Sequence, residues 1–191
     1  MQILKPEIRQ SILENAENMF FVHGFQGTST RELARKVGIS YSNLYRYFDN
    51  KNDLFEAVIE TYYNHFLDSL SRFLEHDEQA EAAGHAPHLV EAFIYLIELD
   101  RQKFIILLEG SRGTRYERIR QEMVERIQER IQLSLPDKSR IDVRTVEIIA
   151  AHFLNGIIKI SRSTDESDLL RIRLQSLVVY HLAGVEALAK A

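Results

Sequence analysis

The sequence predicts an all-α protein. Apolar residues recur at helical spacing along nearly the whole chain of 191 residues, and no alternating pattern typical of β-strands persists. The three prolines and eight glycines lie mostly at the boundaries between these apolar stretches. Together these features predict three short helices within residues 1–50 and a larger helical body within residues 51–191.

The first two helices each carry start and stop signals. The first is expected to begin near Lys5-Pro6, because proline is tolerated in an opening turn, and to end at His23-Gly24. The second is expected to begin at Ser29, where Glu32 three residues later completes a capping box. Gly38 then ends it, because glycine adopts the left-handed conformation that closes many helices.

The third and fourth helices are also marked by capping residues. Ser40 is expected to cap a third helix over residues 41–47, and Asn50 a fourth from residue 51 to about residue 74. The acidic, Ala-rich stretch 76–84 has no strong pattern and predicts a loop or a frayed helix end. Further helices are predicted after Pro87, across the apolar stretch 104–108, from there to Leu135 before Pro136, and over residues 143–161 and 168–189.

Composition excludes several classes of protein. Hydrophobic residues make up 45% and charged residues 27%, as in ordinary soluble domains. The chain has no cysteine, which excludes disulfides and thiolate chemistry. No apolar run approaches the roughly 20 residues that span a bilayer, and the N-terminal residues lack the pattern of a secretory signal. We therefore expect a cytoplasmic location.

The net charge of −4 is unevenly distributed. Residues 1–51 carry seven Lys or Arg and five Asp or Glu, for a net charge of +2, whereas the remainder carries 17 and 23, for a net charge of −6. A mildly basic N-terminal region on an acidic body predicts that only the first fifty residues meet a polyanion.

Residues 28–51 predict the contact with that polyanion. Two short helices joined by Val-Gly-Ile-Ser match the helix-turn-helix arrangement, in which the second helix enters the major groove of DNA. Ser42 and Asn43 are short enough to reach base edges, and asparagine can pair bidentately with adenine. Tyrosine hydroxyls and the Lys51 ammonium suit phosphate oxygens.

The same stretch resembles the TetR family of bacterial transcriptional regulators. The matching residues are Thr28-Ser29-Thr30, Glu32-Leu33-Ala34, residues 37–40, residues 44–48, and Lys51 with Leu54-Phe55. The resemblance covers about residues 7–58 and extends beyond them only in helix number and chain length. It implies a helix-turn-helix domain over residues 1–50, a ligand-binding and dimerisation domain over residues 51–191, and a homodimer on a palindromic operator.

The resemblance also implies roles for individual residues. Base readers would be Arg31, Tyr41, Ser42 and Asn43, and Leu44 and Phe48 would be packing residues. Phosphate anchors would lie at the start of the second helix, in the third helix and at the start of the fourth. They would be Thr28, Ser29, Thr30, Tyr45, Tyr47 and Lys51. The full predicted DNA-binding set is Thr28, Ser29, Thr30, Arg31, Ser40, Tyr41, Ser42, Asn43, Tyr45, Tyr47 and Lys51. Family members usually release DNA when a small molecule binds the larger domain, so the resemblance implies an unknown small-molecule effector and no other cofactor.

The last two predicted helices are apolar on more than one face. A helix that is wet on one side needs only one apolar stripe, so the extra width predicts a symmetric four-helix subunit contact. A larger core within one chain is the alternative. The residues predicted to form the dimer interface are Val146, Ile149, Ala150, Ile157, Leu170, Leu174, Leu177 and Ala183.

The larger domain gives weaker indications of a ligand site. Aromatic and polar side chains that could line a pocket are Tyr62, His65, Phe66, Phe93, Phe104, Tyr116, His152, Phe153 and Asn155. Plain core packing is the alternative for each of them. Residues 109–113 could form either an anion-binding turn or a tight helix connection, and the connection is favoured.

No catalytic or metal-binding pattern stands out. The seven histidines form no pair at metal-ligand spacing, and no catalytic triad, phosphate-binding glycine loop or HExxH arrangement occurs. We therefore expect a DNA-binding repressor and no enzyme. The alternatives are an activator of the same family, a DNA-binding protein without an effector, and an all-helical enzyme.

Overall fold

The computed structural model describes residues 4–80, 87–135, 141–164 and 166–190. Over these ranges the chain is helical and contains no β-strand, which confirms the predicted fold class. In chain order the helices are α1 Pro6–Gly27, α2 Thr30–Val37, α3 Tyr41–Leu44, α4 Lys51–Ala80, α5 Pro87–Leu99, α6 Arg101–Ile105, a π-helical turn Ile106–Gly110, α7 Ile119–Leu133, α8 Val143–Ser163 and α9 Ser167–Lys190.

Two predicted element boundaries need correction. Helix α3 is a single turn, because beyond Leu44 the amides of Arg46 and Tyr47 bond three residues back, to Asn43 and Leu44. Helix α4 continues to Ala80, beyond the end predicted near residue 74, so residues 76–80 are helical and not a loop. The rest of the predicted loop and Pro136 lie outside the described residues.

The described chain divides into two compact units. The first comprises residues up to Leu67 together with residues 102–117, and the second comprises residues 68–101 and 118–191. The first unit therefore contains all of the predicted DNA-binding domain, residues 1–50, and also the start of α4 and a segment distant in sequence. The predicted boundary after residue 50 stays a functional prediction.

Aromatic side chains form the centre of the first unit. The Phe55 ring on α4 lies edge-on to Phe20 and Phe25 of α1, with ring centroids 4.9 and 5.5 Å away. The ring of Tyr116 lies 6.1 Å from Phe55 and 4.8 Å from Tyr63. Phe20 and Phe55 are fully buried, so the segment 102–117 belongs to the same core as the helices preceding it.

Two glycines allow that segment to approach α1 closely. Gly24 has a φ of 66°, which bends the chain where the first helix was predicted to end. A Cβ atom on Gly110 would lie 3.3 Å from the carbonyl oxygen of Phe20 and 3.5 Å from the Cα of Gly24. Because both neighbours are backbone atoms, this contact has little room for a side chain.

The turn after the π-helix is a tight connection, as the sequence favoured. Gly113 has a φ of 88°, and its amide donates to the Glu117 carboxylate at 3.0 Å. The Thr114 amide donates to the Ser111 carbonyl, also at 3.0 Å. Because the Gly113 amide already donates to the Glu117 carboxylate, it is not available to bind another anion.

Helices α8 and α9 pack closely in the second unit. A Cβ atom on Gly156 would lie 2.8 Å from a methyl carbon of Leu177, so glycine permits the close approach of these helices. Phe153 stacks on His181, with ring centroids 4.0 Å apart, and meets Phe93 of α5 edge-on at 6.4 Å. These contacts place an aromatic layer between α5, α8 and α9.

Candidate nucleic-acid interface

The turn between α2 and α3 is built from local backbone bonds. Gly38 adopts a left-handed conformation, with φ of 77° and ψ of 28°. Its amide donates to the Arg35 carbonyl at 3.2 Å, and the Ile39 amide donates to the Ala34 carbonyl at 3.0 Å. This pair of bonds is a Schellman motif, which ends a helix by satisfying its last carbonyls. The predicted stop at Gly38 is confirmed.

Side-chain caps begin the helices on either side of this turn. Ser29 accepts the Glu32 amide at 3.4 Å, and Ser40 accepts the Asn43 amide at 3.2 Å. Asn50 caps α4 by accepting the amides of Asn52 and Asp53. The predicted caps are confirmed, except that the Glu32 carboxylate lies 3.9 Å from Arg35 in place of completing a capping box.

Buried side chains attach α3 to the rest of the first unit. Leu44 is 2% exposed, Phe48 is nearly buried, and Leu33 and Ala34 of α2 are buried as well. The Arg9 guanidinium of α1 lies 5.3 Å from the centre of the Phe48 ring. Leu44 and Phe48 are therefore packing residues, as predicted, and they fix the face of α3 that points outward.

The outward face presents the predicted base readers. Arg31, Tyr41 and Ser42 are exposed, and Asn43 is partly exposed. Arg35 and Lys36 add exposed positive charge at the end of α2. A short helix with polar tips, flanked by cations, has the chemistry to hydrogen-bond base edges and to neutralise phosphates.

Hydroxyl groups link α2 to α3. The Tyr45 hydroxyl lies 3.3 Å from the Thr30 hydroxyl and 3.2 Å from that of Tyr41. The rings of Tyr41 and Tyr45 meet edge-on, with centroids 5.0 Å apart. The hydrogen bond that Tyr45 would donate to its phenolate is the largest cause that lowers the pKa of Tyr41, followed by the bond to Thr30.

Tyr45 shows the opposite shift. Its hydrogen bond with Thr30 favours ionisation, but the bond with Tyr41, burial and the Tyr41 charge outweigh it and raise the pKa of Tyr45. Each of the two phenols thus shifts the pKa of the other. Tyr41 is exposed, whereas Tyr45 is partly buried. Tyr45, predicted as a phosphate anchor, has its hydroxyl engaged within the protein.

Tyr47 and Lys51 lie at the edges of this surface. The backbone amide of Lys5 donates to the Tyr47 hydroxyl at 3.2 Å, which connects the start of α1 to the residues after α3. The Lys51 ammonium lies 4.5 Å from the centre of the Phe25 ring, and burial lowers the pKa of Lys51. The Asn50 side chain already accepts hydrogen bonds from two first-turn amides of α4. The sequence predicted that the ammonium and free amides would bind one phosphate together, and of these groups the ammonium remains.

The prediction that Thr28 contacts DNA is not supported by its position in the structure. Thr28 is 4% exposed, and its hydroxyl donates to the Gly24 carbonyl at 2.7 Å. That bond satisfies a carbonyl at the bend of α1, so the hydroxyl has a structural role and does not reach a surface ligand. Its neighbour Ser29 is exposed but acts as the α2 cap.

Phe25 is the residue that the sequence did not indicate. It lies after the bend at Gly24, supports Lys51 and contacts Phe55. Because it falls between two glycines at a helix end, helical periodicity gives no information about its orientation.

Comparison with known proteins finds a family match for the helix-turn-helix region. Residues 12–58 match the family model described as "Bacterial regulatory proteins, tetR family". The match contains both helices of the helix-turn-helix, the Gly38 turn and the start of α4. The part of the chain that carries the helix-turn-helix is therefore similar to the TetR family.

Proteins with similar sequences are named as transcriptional regulators. This chain is 26% identical over 104 residues to the biofilm operon icaADBC HTH-type negative transcriptional regulator IcaR of Staphylococcus epidermidis, a match covering 54% of each chain. It is 36% identical over 58 residues to the HTH-type transcriptional repressor ComR of Escherichia coli, covering 30% of this chain and 28% of ComR. The matches thus span about half, or less, of these relatives.

A solved structure supports the fold beyond the matched residues. The chain is similar to a TetR-like transcriptional regulator from Rhodococcus sp. RHA1, with a TM-score of 0.56 and 22% identity. The likeness covers 96% of this chain and all of the other. It shows a shared fold that includes the C-terminal helices.

The predicted ligand-binding residues do not form one group. Tyr62, His65, Phe66, Phe104 and Tyr116 belong to the first unit, and Phe93, His152, Phe153 and Asn155 to the second. All the aromatic members are buried, whereas His65, His152 and Asn155 are exposed. Core packing accounts for the buried aromatics, and the Asn155 side chain accepts a bond from Arg120 at 2.5 Å.

The predicted dimer residues also need correction. Five of them are buried within the single chain and so present no surface to a partner: Val146, Ala150, Ile157, Leu170 and Leu174. Ile149 and Leu177 are partly exposed, and Ala183 is exposed. The exposed apolar residues of α8 and α9 are instead Val143, Ile148, Leu169, Ile172, Val179, Tyr180 and Leu182.

Two classes of site are not found among the described residues. No three His, Cys, Asp or Glu side chains there are grouped so that they could hold a metal ion. Within the same ranges, no helix has the length and apolar character needed to cross a membrane.

Proposed function

We propose that this protein is a homodimeric transcriptional regulator that represses genes by binding a palindromic DNA operator. The observation that carries the proposal is the outward face of α3. A Schellman turn and a serine cap place Tyr41, Ser42 and Asn43 on the surface of the first unit, while Leu44 holds the opposite face in the core.

Base reading and phosphate binding fall to different residues in this proposal. Asn43 and Ser42 read base edges because their polar groups are short and lie in the first turn of α3. Lys51 binds a phosphate through its ammonium, and the Tyr47 hydroxyl, supported by the Lys5 amide, donates to another. Phosphate contacts by few cations give a binding constant that falls as salt rises.

Dimerisation uses the exposed faces of α8 and α9. Ile172, Val179 and Ala183 share one face of α9, and Ile148, His152 and Asn155 share one face of α8. A groove of about 380 Å³ lies between the two helices, with Tyr180 at its edge, 79% exposed. The α9 face is apolar and the α8 face combines Ile148 with two polar side chains, and exposed faces of this kind on adjacent helices suit a self-complementary contact with a second copy of the chain.

A small-molecule effector ends operator binding in this proposal, and the resemblance to the TetR family is what supports it. Helix α4 begins at Lys51, next to the DNA-contacting residues, and contributes residues to both compact units. A ligand that displaces α4 changes the position of the reading helix, and a dimer engages two half-sites only at a fixed spacing. A thermal-shift screen identifies such a ligand, because a compound that binds the folded state raises the unfolding temperature.

The test is DNA binding by the full chain at two salt concentrations. We expect a duplex from upstream of its own gene to bind at least about 1000-fold more tightly than an unrelated duplex. Lys51→Ala and Tyr47→Phe should weaken binding to all sequences, and Lys51→Ala should also reduce the salt dependence by about one ion.

Arg126→Ala is the matched control, because Arg126 is an exposed cation on α7 in the other unit. Affinity unchanged in Lys51→Ala and Tyr47→Phe would refute the anchor assignment. A wild-type protein that binds every duplex equally weakly would refute the regulator and indicate an architectural DNA-binding protein.

A further inference from the structure

A cluster of four side chains joins α2 to α3 on the exposed surface. The tyrosine cluster consists of Thr30 and Arg31 on α2, Tyr41 on α3, and Tyr45 just after α3. The Tyr45 hydroxyl is within hydrogen-bond distance of both Thr30 and Tyr41. The cluster therefore connects the two helices by polar bonds in addition to their buried contacts.

Arg31 lies at the outer end of this cluster. Its guanidinium carbon is 5.4 Å from the centre of the Tyr41 ring, which is the geometry of a cation–π contact. Arg31 is exposed and forms no ion pair with any acid in the described part of the chain, whereas Arg35, one turn later, lies near Glu32. The Arg31 guanidinium also hydrogen-bonds the Tyr41 side chain, and because it has five N–H donors, others remain for a ligand.

We propose that Tyr45 is a positioning residue which, through Tyr41, holds the Arg31 guanidinium in place to read one base pair of the operator. This proposal rests on DNA recognition by the same surface and assigns a specificity determinant within it. Arginine is the side chain that most often reads guanine, through two parallel hydrogen bonds in the major groove.

The physical reason is preorganisation. A free arginine side chain loses much rotamer freedom when it is fixed on a base, and a side chain already held in its bound geometry loses less. The Tyr41 ring is 43% exposed, so packing alone does not fix it. Its hydroxyl bond and edge-on contact with the half-buried Tyr45 restrict the ring, and the ring in turn restricts Arg31.

The proposal assigns the Tyr45 hydroxyl a role different from that of a phosphate anchor. A phosphate anchor contributes the same affinity at every sequence, whereas a positioning residue contributes only where Arg31 meets its preferred base. The two roles therefore predict different patterns when the hydroxyl is removed.

The experiment compares base preferences of single variants on randomised duplexes. Wild type, Arg31→Ala, Tyr45→Phe and Tyr41→Phe are each used in selection, followed by affinity measurements on the selected site and on its variants at each position. We expect Arg31→Ala to reduce discrimination at one base pair of each half-site by about 10- to 100-fold. Tyr45→Phe and Tyr41→Phe should reduce it at the same base pair by about 5- to 10-fold.

The double variant Arg31→Ala/Tyr45→Phe tests the coupling. Discrimination at that base pair should be no lower than in Arg31→Ala alone, because Tyr45 acts through Arg31. Thermal unfolding of each variant shows whether it is folded. If Tyr45→Phe does not fold, Tyr41→Phe tests the same hydrogen bond, because it removes the other hydroxyl.

Three results would overturn the positioning role. They are an equal loss of affinity at every sequence in Tyr45→Phe, an unchanged base preference in both tyrosine variants, or a loss at a base pair different from that of Arg31→Ala. Failure of the wild type to select any sequence is a separate outcome, which refutes the proposed function itself.

Discussion

The turn between α2 and α3 and the paired faces of α8 and α9 are defined by interactions of different range. In the turn, Ser29, Gly38 and Ser40 each bond to backbone groups within four or five residues. On α8 and α9, the difference between a buried Leu174 and an exposed Val179 depends on which helices cover them. Short-range chemistry therefore fixes the proposed DNA-binding surface, and long-range packing fixes the proposed dimer surface.

The largest expected effect separates core from surface on α9. Leu174→Ala should lower the free energy of unfolding by about 2–5 kcal/mol, because Leu174 is 1% exposed and its removal leaves a cavity. Val179→Ala, at a position 68% exposed, should change it by less than about 0.5 kcal/mol in the monomer. Chemical denaturation at low protein concentration measures the free energy of unfolding of both variants. Equal losses of stability would contradict the assignment of Leu174 to the core and Val179 to the surface of α9.

A charge on the α9 surface should affect association more than folding. Val179→Asp should shift the protein towards monomer, because the proposed interface would bury an unpaired carboxylate, at an expected cost of about 1–3 kcal/mol. Sedimentation over a range of concentrations measures the dissociation constant. The control is Val22→Asp, at an exposed valine on α1, and an equal response of both variants would argue against this face as the interface.

The turn should depend on its glycine for a backbone reason. Gly38→Ala should destabilise the protein by about 1–2 kcal/mol, since its φ of 77° is unfavourable for a residue with a Cβ atom. No neighbouring atom lies within 4 Å of the added Cβ, so a clash does not contribute.

Gly184→Ala is the matched control for Gly38→Ala. Gly184 also has open space around an added Cβ but lies within helix α9. The substitution there should stabilise the monomer by about 0.5–1 kcal/mol. Thermal unfolding measures the stability of both variants. An equal destabilisation in both would show that the left-handed conformation of Gly38 is not the cause of the effect.

The smallest expected effect is the pH dependence of binding through Lys51. Burial disfavours its charged form, so the folded-state pKa lies below the ordinary value of 10.5. Between the folded and the unfolded pKa the unfolded chain binds more protons, and stability should rise slightly with pH. DNA affinity should fall over the same range as the ammonium is lost.

Lys51→Arg isolates this effect because arginine stays charged. Its affinity for DNA should decline less than that of the wild type as the pH rises from 7 to 10. An identical pH profile for both proteins would mean that the Lys51 ammonium does not contact DNA.

The same comparison explains how much the sequence could predict. The caps at Ser29, Ser40 and Asn50 and the stop at Gly38 follow from residues a few positions apart, and the family resemblance, which is confirmed, lies in the same stretch. The short length of α3 could not be predicted from the sequence, because no helix-stopping residue follows Leu44, and yet the amides of Arg46 and Tyr47 bond three residues back. The DNA-contact roles themselves stay predictions, except for Thr28.

Errors in the C-terminal half have one physical origin. Val146, Ala150 and Leu174 are apolar whether a partner chain or the chain itself covers them, so periodicity cannot tell which. Thr28 was misassigned for a similar reason, since its hydroxyl turns back to the Gly24 carbonyl only because the chain bends there. Contacts between residues distant in sequence decide both cases.

Selection of DNA by the wild-type chain from a pool of randomised duplexes tests the central claim most directly. The account predicts a two-fold symmetric site whose half-site centres are separated by about one helical turn or a multiple of it, as a dimer with two copies of α3 requires. Enrichment of an unsymmetrical site, or of no sequence at all, would contradict it.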